Sequence, residues 1–359
     1  MRIAVIVGTR PQIIKTAPLI QEALKQNLEV EIIHTGQHYD YRLSQIFFEE
    51  FGLPEPIVNL EVGSGSHAYQ TGEIMLRLEK YLVGSTYSLA LIPGDTNSAL
   101  AGALTSVKLG IPVAHIEAGA RSYDMGMAEE INRRLIDHCS KLLFAPTQNC
   151  KKNLERESVI GEIHLTGDTM YDVFLRFKDR AAMSNILNLL KISDKGYALL
   201  TLHRAENVDN PDKLKGILSG VSRIGVDIVF PIHPRTKNRL KGCGVSLNGT
   251  NIKAIDPVSY FDMLKLLKHA KLVLTDSGGL QKEAFWSETP CITLRERTEW
   301  VETVEMGVNL LVGADPNKIV QTINFIESNY DLIKGRFNEN PFGKGDAARR
   351  ILEIIMRST

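Results

Sequence analysis

The order of apolar segments along the chain constrains its fold more than any other feature of the sequence. Short runs rich in β-branched residues, such as Ile3–Val7, Val30–His34 and Leu89–Ile92, alternate with longer stretches of helical spacing. In α/β proteins this alternation reflects parallel strands joined by helices that cover both faces of the sheet. The sequence therefore predicts an α/β fold with doubly wound parallel sheets.

The alternation restarts after Gly167, which predicts a second domain. Further strand-like runs follow, at Tyr197–Leu202, Asp227–Phe230, Ile252–Ala254, Leu272–Thr275 and Cys291–Leu294. A chain of 359 residues is long enough for about two ordinary domains. We expect a first domain over residues 1–167 and a second over 168–345, joined by a linker within 161–195. A C-terminal helix, residues 346–359, is expected to pack back on the first domain.

The overall charge excludes a large polyanion as partner. The 42 Lys and Arg residues balance the 42 Asp and Glu residues, so the formal net charge is zero. Proteins that hold nucleic acid through bulk electrostatics carry a basic excess, which this sequence lacks. If the chain binds phosphate, a few local groups must do so.

The cysteines and the apolar segments predict a protein of the reducing cytoplasm. The four cysteines form neither a CxxC pair nor a cluster with zinc-ligand spacing, so we expect no disulfide framework and no metal site. The start of the sequence, MRIAVIVGTRPQ, is typical of a first strand and lacks the cleavage site of a signal peptide. No apolar run approaches ~18 residues, so no membrane-spanning helix is expected.

Charged residues follow several predicted strands of the first domain. Arg10 stands before a helix, whose N-terminus favours an anion, although a surface Arg beside a turn has the same pattern. Asp95 and Glu117 follow neighbouring strands, and Glu129 comes shortly after on a helix. Simpler interpretations are a helix N-cap for Asp95 and an ion pair with Arg133 for Glu129. Closely placed carboxylates, however, have pKa values pushed apart, which suits them to move protons.

One segment matches the GxGxxA fingerprint of dinucleotide-binding proteins without its context. The segment GSGSHA, residues 63–68, precedes a helix, but polar residues interrupt the run before it. No acidic residue ends a strand about 20 residues later to hold a ribose. We interpret the segment as a flexible loop and expect no NAD site.

The second domain places two histidines and a glycine turn at predicted strand ends. His203 and His233 each follow a strand, although a lone histidine is more often structural. The strongest local signal is TDSGG, residues 275–279, where a β-branched strand runs into a serine, two glycines and a helix. Bare backbone N–H groups and the serine hydroxyl would cradle a diphosphate, and Glu283 one helical turn later would accept ribose hydroxyls. The simpler alternative is a tight turn with Ser277 as N-cap.

Ten motifs resemble the non-hydrolysing UDP-N-acetylglucosamine 2-epimerases, in the order found in that family. They extend over nearly the whole chain, roughly from Arg2 to Gly313. They are GTRPQIIK, TGQHYD, GDTNSALAGA, HIEAGARS, AEEINRR, TLHRAEN, HPRT, DPVSY, TDSGGLQKEA and RERTEWVE.

The resemblance implies a GT-B architecture, in which two Rossmann-like domains face a central cleft that holds a UDP-aminosugar. It implies inversion at C2, from UDP-GlcNAc to UDP-ManNAc, without NAD or a metal. The implied chemistry is elimination of UDP with loss of the C2 proton, which gives a 2-acetamidoglucal. UDP then re-adds after a proton reaches the other face. The resemblance further implies a homodimer that serves cell-surface polysaccharide synthesis.

Position by position, the resemblance assigns roles to residues of these motifs. It implies catalytic roles for Asp95, Glu117, Glu129 and His203. It implies that the UDP-sugar is bound by Arg10, Lys15, Arg133, His233, Ser277, Gly278, Gly279 and Glu283. It does not decide which carboxylate removes the C2 proton.

Several positions depart from the common family pattern. Gln12 stands where Glu is frequent, Ala128 replaces the proline of PEE, and residues 298–302 read TEWVE instead of TERPE. Gln12, Lys282 and the TEW sequence instead resemble a branch that epimerises UDP-2,3-diacetamido-2,3-dideoxyglucuronate. That compound is the main alternative substrate.

Some bacterial members bind a second UDP-GlcNAc as an activator. The residues that match this effector position are Gln37, His38 and Gln70, whereas Tyr69 stands where those members have Arg. Three other functions share the UDP cradle: a GT-B glycosyltransferase, a hydrolysing epimerase that releases free N-acetylmannosamine, and a catalytically silent UDP-sugar sensor. Three carboxylates are more than a glycosyltransferase requires, and their retention speaks against a sensor.

Overall fold

The chain forms two compact units in the computed structural model, which describes residues 1–37 and 47–358. One unit consists of Met1–Leu175 and Pro341–Thr359, and the other of Arg176–Asn340. Each unit contains one parallel β-sheet whose strands are joined by helices. The predicted α/β class, with two Rossmann-like parallel sheets, is confirmed.

The first unit has a sheet that reverses its strand order at the centre. Its strands are β1 (Arg2–Val7), β2 (Glu29–His34), β3 (Val58–Asn59), β4 (Leu89–Pro93), β5 (Val113–Ile116), β6 (Leu142–Ala145) and β7 (Glu162–Leu165). They pair in parallel in the order β3-β2-β1-β4-β5-β6-β7. In doubly wound folds, ligands bind beyond the carboxyl ends of the strands at such a reversal, here between β1 and β4.

The helices of this unit connect its strands and cover the sheet. They are α1 (Arg10–Lys25), α2 (His67–Leu82), α3 (Asn97–Lys108), α4 (Ala128–Cys139) and α5 (Gln148–Arg156). A further helix, α6 (Thr169–Ala182), begins in this unit and ends in the second. α3 packs against β1, β4 and β5 and lies between α2 and α4. It lies close to the sheet at Gly102, where an added Cβ would lie 3.0 Å from side-chain atoms of Ile6 and Ile92.

The second unit repeats the design with a smaller sheet. Its strands are β8 (Tyr197–Thr201), β9 (Asp227–Pro231), β10 (Ile252–Ile255), β11 (Leu272–Thr275), β12 (Cys291–Thr293) and β13 (Asn309–Leu311), in the order β10-β9-β8-β11-β12-β13. Its helices are α7 (Ile186–Leu190), α8 (Ala205–Val208), α9 (Pro211–Val221), α10 (Pro234–Gly242), α11 (Tyr260–His269), α12 (Gly278–Trp286), α13 (Val301–Glu305), α14 (Pro316–Ser328) and α15 (Tyr330–Lys334).

The C-terminal helix, α16 (Ala347–Ser358), lies in the first unit and packs against α1. The Asp172 carboxylate of α6 fixes its start, because it accepts backbone N–H bonds from Ala347 at 3.2 Å and Ala348 at 2.7 Å. The stretch 161–195, predicted as a linker, contains β7 as well as α6 and α7. β7 was not predicted because its four residues, EIHL, alternate in polarity at a sheet edge. No helix within residues 1–37 and 47–358 is long and apolar enough to cross a membrane.

Two glycines in neighbouring helices offer a test of the packing of α3. Gly102→Ala should lower the free energy of unfolding by ~1–3 kcal/mol, because the new methyl group would overpack the fully buried Ile6 and Ile92. Gly72→Ala, in α2, should raise it by up to ~1 kcal/mol, because no atom lies within 4 Å of the added Cβ and helix propensity improves. Urea unfolding of both variants measures the difference, and an equal effect would contradict the packing described.

Candidate functional site

The turn after β1 brings Arg10 to the carboxyl edge of the first sheet. Only glycine fits at Gly8, since an added Cβ would lie 2.0 Å from the Thr35 hydroxyl. The Gly8 N–H donates to Gln12 Oε1 at 2.9 Å, and Gln12 Nε2 donates to the carbonyl of Pro93 at 2.9 Å. Gln12 therefore links the β1 turn to the end of β4. The Arg10 guanidinium lies 4.6 Å from the centre of the Phe47 ring.

Lys15 and Glu117 form an ion pair at this edge. The Lys15 Nζ lies 2.9 Å from each Glu117 carboxylate oxygen, and both side chains are largely buried. Glu117 has a φ of +70°, a left-handed conformation that non-glycine residues seldom adopt. Such strain is concentrated at functional sites, where the surrounding structure holds it in place. Lys15 also lies beside the turn after β4, within 3.3 Å of where a Cβ at Gly94 would stand.

Asp95 is paired with Arg133 from α4. The Arg133 side chain is 4% exposed and that of Asp95 24%, so the carboxylate keeps an open side. Arg133 also contacts Glu130 at 3.2 Å. Asn132 Nδ2 donates to the backbone carbonyl of Asp95 at 2.9 Å and fixes its turn. Glu129 stands in the first turn of α4, partly buried. The first unit thus brings Asp95 and Glu117 to adjacent strand ends, each beside a cation.

The glutamines of the expected effector position contact each other. Gln70 Nε2 donates to the backbone carbonyl of Gln37 at 3.1 Å, and Gln37 Oε1 accepts from the Ser98 hydroxyl at 2.6 Å. Gln70 Oε1 accepts from Asn97 Nδ2 at 2.8 Å, and Asn97 Oδ1 accepts from Asn132 at 3.2 Å. A chain of amide hydrogen bonds therefore runs from these glutamines to the Asp95 turn. His38 lies outside the described residues.

In the second unit, a buried aspartate fixes the backbone at His203. Asp276 is fully buried and accepts the N–H of His203 at 3.0 Å and of Arg204 at 2.8 Å. The His203 Nδ1 lies 3.3 Å from the same carboxylate. His233 is the N-cap of α10 and accepts the Arg235 N–H at 3.2 Å. The two histidine rings lie 6.1 Å apart, so both strand ends present an imidazole to one region.

The SGG segment forms the turn between β11 and α12. Ser277 is the N-cap of α12 and accepts the Leu280 N–H at 3.4 Å, so the simpler alternative of a capped turn is present. A helix N-terminus with a capping serine still carries unpaired N–H groups for an anion. Trp300 lies beside the turn, with its Nε1 3.3 Å from where a Cβ at Gly278 would stand. The Lys282 Nζ lies 3.9 Å from the centre of the Trp300 ring. Gly279 follows in the first turn of α12, and Glu283 is buried within it.

Sequence reasoning missed the residues that hold these groups in place. Asp276 directly precedes the SGG turn, and Asn132 lies within the AEEINRR motif. Sequence reasoning also assigned no role to Glu130, which accepts hydrogen bonds from the Ser122 N–H at 2.8 Å and from the Ser122 hydroxyl at 3.0 Å. Only their position next to a candidate residue could have pointed to these residues. A single sequence does not show whether a polar side chain is buried. Within the described ranges, no three His, Cys, Asp or Glu side chains cluster closely enough to hold a metal ion.

Comparisons with known proteins show which family this chain is similar to. The profile of the UDP-N-acetylglucosamine 2-epimerases matches residues 22–356. A UDP-N-acetylglucosamine 2-epimerase of Methanocaldococcus jannaschii is 46% identical over 99% of both chains. A UDP-2,3-diacetamido-2,3-dideoxy-D-glucuronate 2-epimerase of Pseudomonas aeruginosa is 42% identical over 99% of this chain and 100% of its own.

A solved structure is similar over the whole chain. The crystal structure of Methanocaldococcus jannaschii UDP-GlcNAc 2-epimerase in complex with UDP-GlcNAc and UDP has a TM-score of 0.91. It is 43% identical and covers 99% of this chain and 100% of its own. The predicted family and its enzyme class, isomerase, are confirmed. The chain belongs to the UDP-N-acetylglucosamine 2-epimerase family.

Proposed function

We propose that the chain converts UDP-GlcNAc into UDP-ManNAc by elimination and re-addition of UDP, without hydrolysis. The observation that carries the proposal is the edge of the first sheet, where Asp95 and Glu117 follow adjacent strands and each pairs with a cation. Glu129 stands in the first turn of the helix that supplies Arg133. The Methanocaldococcus jannaschii relative, solved with UDP-GlcNAc and UDP, supports the choice of substrate.

The proposed reaction needs acid and base groups but no change of oxidation state. A carboxylate removes the C2 proton, the C1–C2 double bond forms, and the bond between C1 and the UDP oxygen breaks. A second acid group returns a proton to the opposite face of C2, and the UDP oxygen bonds again to C1. Asp95, Glu117 and Glu129 supply these groups, with His203 beside the leaving diphosphate. Because electrons balance within the sugar and UDP, the scheme needs no NAD, and it assigns no step to a metal.

We propose binding roles for residues of each unit, beginning with the turn between β11 and α12. The Ser277 hydroxyl and the N–H groups of Gly278 and Gly279 suit the charge of a diphosphate at a helix N-terminus. Arg10, Lys15 and Arg133 in the first unit and His233 in the second are also assigned to the UDP-sugar, and Glu283 is assigned to its ribose. We place Gln37 and Gln70 outside the reacting groups, as a position for an effector.

The diacetamido uronate is the second candidate substrate, and one relative favours it. The Pseudomonas aeruginosa enzyme named for that substrate is 42% identical over 99% of this chain. Gln12 and Lys282, which resemble that branch, have defined structural partners here: Gln12 links β1 to β4, and Lys282 lies against Trp300. These contacts stabilise the turns that carry Arg10 and Ser277, and they suit either substrate.

Incubation with UDP-GlcNAc in deuterated water, followed by proton NMR, tests the reaction and its substrate. We expect deuterium at C2 together with UDP-ManNAc, because the proton that returns comes from solvent. Exchange with the diacetamido uronate but not with UDP-GlcNAc would select the second candidate. Free N-acetylmannosamine as the main product would contradict the non-hydrolysing reaction.

Asp95→Asn should separate catalysis from binding. The amide keeps the shape of the side chain but neither accepts a proton nor carries charge, so turnover should fall ~10²–10⁴-fold. UDP binding, measured by titration calorimetry, should be retained. Asp179→Asn, an exposed residue of α6, serves as the matched control with unchanged turnover. Normal turnover in Asp95→Asn would remove this residue from the chemistry.

We also propose that the enzyme is a homodimer, because the two helices on either side of α3 expose apolar side chains. Tyr69, Leu76 and Val83 are exposed at seven-residue intervals along α2 and its C-cap. Ile131 and Leu135 are exposed one helical turn apart on α4. Exposed apolar side chains that recur along a helix are typical of surfaces that form subunit contacts.

Sedimentation analysis tests the dimer. The double variant Leu76→Asp with Leu135→Asp should sediment as a monomer, because it buries charge in the proposed contact. Leu189→Asp, at an exposed leucine of the second unit, should sediment as the unchanged protein does. An unaltered mass for the double variant, or a monomeric unchanged protein, would contradict the proposal.

We propose the cytoplasm as its compartment. All four cysteines are free: Cys139, Cys150, Cys243 and Cys291. Free thiols are kept in a reducing compartment, whereas oxidising compartments favour disulfides.

A further inference from the structure

A buried charged cluster lies directly beneath the catalytic edge of the first sheet. It consists of His115 in β5, Asp137 in α4 and Arg121 in the loop between them, each at most 1% exposed. The His115 Nδ1 lies 2.6 Å from Asp137 Oδ1, and Arg121 lies 2.7 Å from Asp137 Oδ2. None of these side chains belongs to the proposed reacting groups. Buried charges are costly, so their presence calls for a role.

Both ring nitrogens of His115 face acceptors. The Nδ1 faces a carboxylate, and the Nε2 lies 2.9 Å from the backbone carbonyl of Gly94. A carbonyl oxygen only accepts hydrogen bonds, and an ionised carboxylate does the same. A neutral imidazole has one N–H and would leave one of these short contacts between two acceptors. Only the doubly protonated ring satisfies both.

The surroundings keep Asp137 ionised, as this arrangement requires. Burial by itself raises the pKa of Asp137, but the neighbouring His115 and Arg121 hold that pKa below its usual value. Arg121 is shared with Glu157, whose carboxylate also contacts Arg134 at 3.2 Å and His138 at 3.7 Å. Arg121 therefore contacts two carboxylates, those of Asp137 and Glu157.

The cluster binds one backbone group just before Asp95 and another just after Glu117. The Gly94 carbonyl, bound by His115, belongs to the residue directly before Asp95. The Gly119 N–H, two residues after Glu117, donates to Asp137 Oδ2 at 3.1 Å. Asp137 lies on α4, the helix that also carries the Arg133 partner of Asp95. Asp137 thus connects this helix directly to the turn after Glu117 and, through His115, to the turn before Asp95.

We infer that His115 is a doubly protonated positioning residue, whose Nε2–H holds the Gly94 carbonyl and so orients the turn that presents Asp95. Its effect on turnover rests on the proposed function, whereas its protonation does not. Placement matters because a shift of about 1 Å in a reacting group costs roughly 10²-fold in rate. A merely structural ion pair would affect stability alone.

Nitrogen-15 NMR of the full-length protein, labelled at histidine, tests the protonation state. Two protonated ring nitrogens are expected for His115 in the folded protein, with the resonance assigned by its loss in His115→Gln. A bare ring nitrogen in that resonance would overturn the inference. This readout needs no substrate, so it stands or falls separately from the proposed epimerisation.

Two substitutions separate the two hydrogen bonds of the ring. His115→Gln places an amide N–H near the position of Nε2 and retains a donor for Gly94, whereas His115→Asn retains one near Nδ1 for Asp137. We expect His115→Asn to lower kcat roughly 10²-fold with little change in KM, and His115→Gln to retain most of kcat.

Ile136→Val is the matched control, a buried residue of the same helix outside the cluster. It should lose stability without loss of kcat. Equal losses of kcat in both His115 variants, or a loss in Ile136→Val matched to its lower stability, would overturn the positioning role. If no UDP-aminosugar is turned over by the unchanged protein, the proposed function fails while the NMR result still decides the protonation of His115.

Discussion

Parallel pairing of β1, β4 and β5 is the constraint on which the site depends. Strands that run in one direction end at one edge, so residues far apart in sequence meet there. Arg10, Asp95 and Glu117 each follow one of these strands. The helices then determine what surrounds them, since α1 supplies Lys15 and α4 supplies Arg133. The strained backbone of Glu117 is held within this frame.

Although the net charge of the chain is zero, its charged side chains are arranged in specific local pairs. In the first unit Asp95 and Glu117 each lie beside a cation, and a second layer of buried ions lies beneath them. In the second unit, buried Asp276 fixes the backbone at His203 beside a helix N-terminus suited to phosphate. Paired carboxylates at the edge of one sheet and a helix N-terminus at the edge of the other thus arise without any excess of either sign.

The sequence predicts the sheets well because buried parallel strands are continuous apolar runs, as in Ile3–Val7. It also indicates which loops are candidates for a site, since polar residues at the ends of predicted strands are recognisable in the sequence. Short edge strands such as β7 are not predicted from the sequence, because their residues alternate in polarity. The supporting residues are not predicted either, because nothing in one sequence distinguishes buried Asp276 or Asp137 from a solvated aspartate. Their importance follows from burial and hydrogen bonding, which only the folded chain defines.

The most direct test of the account is the fate of the bond between C1 of the sugar and the UDP oxygen. UDP-GlcNAc carrying ¹⁸O in that bridging position should, during epimerisation, return label to the non-bridging oxygens of the β-phosphate, as mass spectrometry or ³¹P NMR would detect. That exchange is predicted because UDP leaves, its phosphate rotates, and another oxygen re-adds. Epimerised product that keeps all ¹⁸O in the bridge would show that C2 inverts without departure of UDP, and would contradict the account.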